Sequence, residues 1–330
     1  MDTVRLGVVG IGWWGGVLTE SARESGLAEV VACFARSVDT REAFAKEHGC
    51  RAASSLEDIL DDPEIDGLLV ATPHSTHLEM VERAAAAGKH VFVEKPLTLT
   101  VAEAKRSIAA TEAAGVILQV GHNRRRQPAN RLLKELIGSG ELGTVLQLEG
   151  NQSGPGGHKP ALPGWRRTAE ECPAGGMTGL GVHIVDTFNY FVGPAKRVTA
   201  FSKRIHGFLP LDEATTVILE YESGPLGYIG TSYFVPAVNV LSVYGSDGNA
   251  WNEEDGTRLF TQERKDPARI EREVDTVNTI VDELAEFARC IRDGTTPETG
   301  AAQGLEVAAV LEAIDRSVAS GCAVELADLR

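Results

Sequence analysis

The sequence lacks the features that mark several large protein classes. Its five cysteines are scattered without Cys-x-x-Cys spacing, which argues against a zinc knuckle or a disulfide framework and favours a reducing compartment. No apolar run approaches the roughly 20 residues of a membrane helix, and the N-terminal run does not read as a signal peptide. Acidic residues outnumber basic ones by 47 to 32, which disfavours nucleic acid and anionic membranes as partners. We therefore expect a cytoplasmic protein.

The composition is that of an ordinary globular protein. Hydrophobic residues make up 43% of the chain and charged residues 24%, which excludes disordered and collagenous classes. A chain of 330 residues exceeds what one hydrophobic core comfortably holds, so two domains are expected.

A glycine-rich motif follows the first apolar run. The predicted order is a strand, a glycine turn, a helix and a second strand, at residues 4–9, 10–15, 17–25 and 29–34. This context makes the GxGxxG pattern a dinucleotide-binding fingerprint. Gly10 permits the tight turn, Gly12 lets a pyrophosphate approach the backbone, and Gly15 lets the helix pack closely. Trp13 and Trp14 lie within the same predicted cofactor site.

The end of the second predicted strand bears on the choice of cofactor. NAD-specific sites have an acidic residue here that accepts hydrogen bonds from the ribose hydroxyls, whereas this chain has Arg36 and Ser37, and Asp39 lies too far on. Guanidinium and hydroxyl donors suit a 2′-phosphate. The residues therefore favour NADP over NAD, the alternative being a solvated Arg36.

Two further predicted strands end in polar residues. Residues 67–71 are followed by Thr72 and Pro73. The apolar strand that opens KHVFVEKPL, residues 89–97, stops at Glu94 and Lys95. In a parallel sheet, ligands bind beyond the carboxyl ends of the strands. We therefore expect these four residues on the cofactor side. His77, at the start of the next helix, is either a cofactor contact or simply a polar helix-start residue.

Strands and helices alternate up to residue 122, which predicts a doubly wound parallel sheet. The predicted domains are residues 1–122, which bind the dinucleotide, and residues 123–330, which bind substrate and form oligomer contacts. In the second domain, period-two alternation predicts strands, with one covered face in residues 214–221. The charged residues 264–273 are expected to be exposed.

A histidine and an aspartate stand three residues apart on a predicted helix after Gly176. His183 and Asp186 would share one face of that helix. Upstream, Trp165 and Arg166 follow a glycine- and proline-rich loop, a common setting for substrate-binding edges. Arg166 either pairs with an acidic substrate group or is an ordinary surface charge.

The motifs GIGWWG, ATPHSTH, KHVFVEKPL, GHNRR, PGWRR and GGMTGLGVHIVD together resemble the Gfo/Idh/MocA oxidoreductase family. The resemblance implies a Rossmann domain followed by an α/β domain whose mostly antiparallel open sheet commonly forms the subunit contact of a homodimer or homotetramer. It also implies that Lys95 contacts cofactor and substrate, that Glu94 shapes the turn, and that Pro96 follows a cis peptide bond.

The same resemblance assigns roles in the second half of the chain. It implies that His183 is a general acid/base and that Asp186 belongs to the substrate pocket, with Asn123 of GHNRR also on the substrate side. The chain departs from the family pattern at Gly179, where many relatives have an aspartate four residues before the histidine.

The expected reaction is hydride transfer between NADP or NAD and a secondary alcohol or carbonyl of a sugar, polyol or related small molecule, without a metal. Two alternatives stay open. One is glycosidic cleavage by a tightly held NAD, and the other is a non-catalytic dinucleotide sensor.

Overall fold

A computed structural model describes residues 3–158 and 164–330 of the chain. The strands of the first sheet are β1 (Val4–Val9), β2 (Ala28–Phe34), β3 (Arg51–Ala52), β4 (Gly67–Val70), β5 (His90–Val93) and β6 (Leu118–Val120). Those of the second are β7 (Val145–Ser153), β8 (Ala195–Lys203), β9 (Ala214–Tyr221), β10 (Leu226–Ser232), β11 (Val238–Gly245), β12 (Gly248–Glu253), β13 (Arg258–Glu263), β14 (Ile270–Arg272) and β15 (Val324–Glu325).

The α-helices connect and cover these strands. They are α1 (Trp13–Glu24), α2 (Val38–His48), α3 (Glu57–Leu60), α4 (His77–Ala86), α5 (Val101–Ala114), α6 (Pro128–Ser139), α7 (Val182–Val192), α8 (Thr279–Asp293) and α9 (Ala301–Ser320). Among the described residues, none of these helices combines the length and the apolar character needed to cross a membrane.

The first sheet is entirely parallel, with strand order β3-β2-β1-β4-β5-β6. Successive strands run outward from β1 to β3, and the chain then returns to the other side of β1 with β4. The carboxyl ends of β1 and β4 therefore form a topological switch point, where doubly wound sheets bind their ligands. The predicted Rossmann sheet is confirmed.

The first compact unit of the chain is discontinuous. It consists of Met1–Asn123 and Asn278–Leu305, so it includes helix α8, which a linear division at residue 122 assigns to the second domain. Leu284, Phe287 and Ala288 of α8 are buried in the same core cluster as the strand β1. The ring of Phe287 lies 5.8 Å from that of Phe92 on β5.

The second compact unit contains the nine-stranded sheet, in the order β14-β13-β12-β11-β7-β10-β9-β8-β15. Only β7 and β10 pair in parallel among these strands. The predicted mostly antiparallel sheet is therefore confirmed. Along β9, Val217 and Leu219 are buried and Thr216 and Ile218 are exposed, which matches the predicted alternation.

Two local predictions differ from the structure. Helix α1 begins at Trp13 rather than at residue 17, because Gly12 is already extended and serves as its N-cap. Residues 264–273 are largely exposed but include strand β14, which pairs with the unpredicted β13. The Arg258 guanidinium on β13 donates to the two carboxylate oxygens of Glu271 on β14, at 2.8 and 3.0 Å. Because charged side chains form this cross-strand pair, the sequence lacks the apolar alternation that would have predicted the strands.

Candidate functional site

The three glycines of the turn after β1 differ in their steric surroundings. Gly10 has φ +81°, and a β-carbon there would lie 2.3 Å from the backbone of Ala71 at the end of β4. A β-carbon on Gly15 would lie 2.5 Å from the carbonyl oxygen of Gly10. On Gly12 it would meet nothing within 4 Å. Gly10 and Gly15 are therefore required by the fold, while Gly12 borders open space at the switch point.

The N-terminus of helix α1 faces this open space with its backbone donors. Its N-cap Gly12 has no side chain to cap them, and the first turn contains no acidic residue. Uncapped N–H groups and the helix dipole favour a negatively charged ligand. Trp13 is 79% exposed beside the turn, and Trp14 packs against the core of the first unit. These residues fit the pyrophosphate of a dinucleotide.

Arg36 and Ser37 lie where β2 passes into α2. Ser37 is the N-cap of α2, and its hydroxyl accepts a hydrogen bond from the N–H of Thr40 at 3.4 Å. Arg36 is exposed. Arg41, which sequence reasoning missed, is held at the same strand end because its Nη1 donates to the carbonyl of Ala35 at 3.2 Å. The result is a cluster of positive charge beside the end of β2.

His77 is fully buried, with 0% exposure. Its Nδ1 lies 2.9 Å from the carbonyl oxygen of Pro96, and its Nε2 lies 3.1 Å from that of Thr72. The ring therefore joins the loop after β4 to the loop after β5. Thr72 and Pro73 are in the first of these loops. The ring thus links two loops at the carboxyl edge of the sheet, and its cofactor contact stays a prediction.

Lys95 follows β5 and is half-buried, and its peptide bond to Pro96 is cis, as the family resemblance implied. The adjacent Glu94 side chain is buried, and its Oε2 accepts from the Lys95 N–H at 3.3 Å. A β-carbon on Gly121 would lie 2.8 Å from the other Glu94 oxygen. The glutamate therefore fills the turn that carries the lysine.

His183 belongs to the second unit and lies in the first turn of α7. A π-helical turn, Met177–Gly181, runs directly into this helix. π-Turns are rare and concentrate at functional sites. The histidine is half-buried and borders a cleft in the second unit.

Polar side chains line this cleft, and sequence reasoning missed most of them. They include Arg124, Gln127, Asn130, Gln152, Thr187, Asn239 and Asn252. Asn130 accepts a hydrogen bond from Asn252 at 2.7 Å, and Arg124 pairs with Asp255. These residues come from separate segments that only the folded sheet brings together. Amides and guanidinium groups are suitable donors and acceptors for hydroxyl-bearing ligands.

Asp186 lies three residues beyond His183 and is 1% exposed. Its Oδ2 accepts from Nε of Arg125 at 3.0 Å, and its Oδ1 accepts from the Nη2 of the same side chain. Both carboxylate oxygens therefore take part in a buried ion pair. The predicted contact of Asp186 with substrate stays a prediction.

The remaining predicted substrate residues are divided between the units. Asn123 is in the first unit, where its amide donates to Thr279 of α8 at 2.9 Å. Trp165 and Arg166 are in the second unit, with the guanidinium carbon 4.7 Å from the centre of the indole ring. Arg166 is thus held by a cation–π contact.

Two family models match the chain. The one described as "Oxidoreductase family, NAD-binding Rossmann fold" matches residues 4–122. The one described as "GFO/IDH/MocA C-terminal domain" matches residues 130–251. Together they account for most of the chain and of both units.

Similar proteins match the chain along nearly its whole length. A 1,5-anhydro-D-fructose reductase of Ensifer adhaerens is 26% identical, with 90% of this chain and 91% of that protein covered. A scyllo-inositol 2-dehydrogenase (NAD(+)) of Bacillus subtilis strain 168 is 29% identical, with 89% and 88% covered. A solved structure from Desulfitobacterium hafniense DCB-2, described as an oxidoreductase, has a TM-score of 0.95 and 28% identity, with 100% and 99% covered.

Proposed function

The chain belongs to the Gfo/Idh/MocA oxidoreductase family, and we propose that it oxidises or reduces a sugar, a polyol or a related small molecule with a nicotinamide dinucleotide. The observation that carries this proposal is the open space beside Gly12 together with the uncapped start of α1. The substrate class is supported by the anhydrosugar reductase and the inositol dehydrogenase among its relatives.

The roles of two side chains follow from the chemistry. When bound, the nicotinamide supplies a hydride acceptor or donor at C4. His183 takes the hydroxyl proton of the substrate alcohol during oxidation and returns it during reduction, as an imidazole can. The Lys95 ammonium holds the reacting oxygen and stabilises the negative charge that develops on it.

We also propose a preference for NADP over NAD. Arg36 is exposed beside the end of β2 and Ser37 begins α2, so a guanidinium group and a hydroxyl are available to a 2′-phosphate. Arg41 adds positive charge at the same position. Trp13, Trp14, Thr72 and Pro73 complete the proposed cofactor site.

A homodimer or homotetramer formed through the second sheet is part of the proposal. Phe201, Ile218 and Tyr228 are 67%, 52% and 36% exposed on adjacent strands, and Ile218 pairs directly with Tyr228. Exposed apolar surface of this kind favours association. The five free cysteines are compatible with the proposed cytoplasmic location. The acidic net charge makes nucleic acid and membranes unsuitable partners.

The test is turnover. We expect the protein to reduce NADP⁺ or NAD⁺ with a sugar or polyol from a broad panel, followed by absorbance at 340 nm. Lys95→Ala and His183→Ala should each lower kcat by about 100-fold or more with the cofactor Kd nearly unchanged. Lys46→Ala and His206→Ala, at exposed positions, are the matched controls.

Two outcomes would contradict the proposal. Release of a free sugar without net reduced cofactor indicates the glycosidase alternative. Cofactor binding without turnover across the panel indicates a sensor. Unchanged turnover in both active-site variants would remove the roles given to Lys95 and His183.

A further inference from the structure

The hydroxyl of Tyr233 occupies the position that a side chain at residue 179 would take. A β-carbon built on Gly179 would lie 1.7 Å from the phenol oxygen and 3.0 Å from Cζ of the same ring. Non-bonded atoms do not approach this closely, so residue 179 has to be glycine while the tyrosine keeps its place. Tyr233 immediately follows strand β10 and reaches the helical segment from the sheet.

This position lies one helical turn before His183. Gly179 is in the π-helical turn Met177–Gly181, and His183 is four residues further along the same helical segment. Residues three or four apart share a face, with their β-carbons about 5–6 Å apart. The phenol oxygen therefore lies on the helix face that His183 shares, about one turn before the imidazole, a separation that one bridging water can span.

The surroundings of Tyr233 hold the ring in place. Its side chain is 5% exposed and belongs to a small apolar cluster with Cys172 and Leu211, against which Leu180 packs. A well-packed ring fixes the position of its hydroxyl, because displacing it would open a cavity.

The hydroxyl stays protonated in the physiological range. Burial raises the pKa of Tyr233 above its ordinary value, the nearby Cys172 raises it further, and Arg166 opposes the shift. A neutral phenol can both donate and accept a hydrogen bond. It can therefore fix the tautomer and orientation of an imidazole without adding the negative charge of a carboxylate.

We infer that Tyr233 is a positioning residue for His183: its hydroxyl, set in place of a side chain at position 179, hydrogen-bonds the imidazole through one water and orients it. This inference rests on the acid/base role of His183 in the proposed function. No covalent step is involved, and the proton exchanged with substrate remains that of His183.

The first test removes one oxygen atom. In Tyr233→Phe we expect kcat to fall about tenfold or more with KM within about twofold, because a tilted or wrong-tautomer imidazole still permits binding. Long-range ¹H–¹⁵N spectra of the labelled protein should show a changed tautomer ratio for His183, assigned with His183→Gln. Tyr221→Phe is the matched control, since it removes a phenol oxygen from another buried tyrosine of the same sheet.

The second test moves a carboxylate into the vacated position. Gly179→Asp combined with Tyr233→Ala should raise the pKa of His183 by about one unit relative to Tyr233→Ala alone, since an opposite charge favours the imidazolium. It should also shift the pH profile of kcat for alcohol oxidation upward. The comparison of these two variants tests the inference if Tyr233→Phe does not fold.

The outcomes separate this inference from the proposed function. A folded Tyr233→Phe with unchanged kcat and an unchanged His183 spectrum overturns the pairing, as does an unchanged His183 titration in the double variant. If the wild-type protein turns over no substrate while the His183 spectrum responds to Tyr233→Phe, the proposed reaction fails and the contact stands.

Discussion

Arg125 and Asp186 form a buried ion pair across two elements of the second unit, with side chains 5% and 1% exposed. The Arg125 guanidinium also lies 4.9 Å from the ring centre of Tyr190, one turn beyond Asp186 on α7. The pair thus anchors the helix that carries His183 to the segment immediately before α6.

We predict that Asp186→Asn lowers the free energy of unfolding by about 3 kcal/mol, because removing one partner leaves a buried charge uncompensated. Urea unfolding followed by circular dichroism measures this. The matched control is Glu79→Gln, which breaks an exposed pair with Arg83 and should change stability by less than about 0.5 kcal/mol.

The double variant Arg125→Met with Asp186→Leu should recover most of that loss, since an apolar pair of similar volume often replaces a buried ion pair at little cost. Equal stability of Asp186→Asn and the control would contradict the prediction.

The glycine turn gives a second prediction, which separates cofactor binding from folding. Gly12→Ala adds a β-carbon in open space at an extended backbone conformation that alanine tolerates, so the melting temperature should stay unchanged. The cofactor Kd should rise about tenfold or more, ~1.4 kcal/mol, because the methyl group keeps the pyrophosphate from the backbone. Quenching of Trp13 and Trp14 fluorescence is a direct measurement.

Gly15→Ala is the contrasting variant. Its β-carbon would lie 2.5 Å from the Gly10 carbonyl oxygen, so it should lower the melting temperature as well as cofactor affinity. Wild-type cofactor binding by a folded Gly12→Ala protein would show that the phosphates bind elsewhere.

The third prediction concerns Arg36. Arg36→Ala should weaken NADP⁺ binding by about 10–100-fold, the equivalent of one charge-assisted hydrogen bond of roughly 1.5–3 kcal/mol, and leave NAD⁺ binding within about twofold. Isothermal titration with both cofactors gives the ratio of the NADP⁺ and NAD⁺ dissociation constants. Lys46→Ala, which removes a charge at the other end of α2, controls for the general loss of positive charge. An unchanged ratio in Arg36→Ala would remove the proposed NADP preference.

The fourth prediction is a pH dependence centred on Glu213. Its Oε2 accepts from the N–H groups of Ile205 and His206 at 2.9 and 2.6 Å, and its Oε1 accepts from those of Gly207 and Phe208 at 2.7 and 3.1 Å. Burial alone would raise the pKa of Glu213, but these four amides outweigh it and lower the pKa to about 2.

The direction of the pH dependence follows from the pKa of Glu213 in the unfolded and folded states. In the unfolded chain a glutamate titrates near pH ~4.3, so the folded protein holds the carboxylate more strongly and gains stability that is complete above about pH 5. This stability is lost as the pH falls toward about 2. The difference in unfolding free energy between wild type and Glu213→Gln should therefore shrink over this range in urea titrations. A difference independent of pH would contradict the role given to the four amides.

Much of the fold could be predicted because its signals are local. The alternation of buried and exposed side chains along β9 lies within one strand, as does the run of apolar residues in β1. Each pattern reflects whether one face or both faces of the strand are buried. The glycine turn was predictable for the same reason, since Gly10, Gly12 and Gly15 lie within one short segment of the sequence.

The contacts of the site that the sequence did not indicate depend on distant pairs. The family resemblance placed Asp186 in the substrate pocket, but no local pattern indicated its ion pair with Arg125, which lies 61 residues away. Residue 179 has to be glycine because of Tyr233, which follows strand β10 and is distant from residue 179 in the sequence. His77 was predicted to lie near the cofactor because it follows a parallel strand. Its burial, however, depends on the loop that contains Pro96, which the strand pattern does not indicate.

The packing of helix α8 into the first unit has a consequence for synthesis. More than 150 residues separate Asn123 from Asn278. At about 5–20 residues per second, the ribosome therefore completes the six strands roughly 8 to 30 seconds before α8 emerges. During that interval, the core surface that later covers Leu284 and Phe287 has no partner and is open to aggregation or to a chaperone. A chain truncated before α8 would keep that surface permanently exposed.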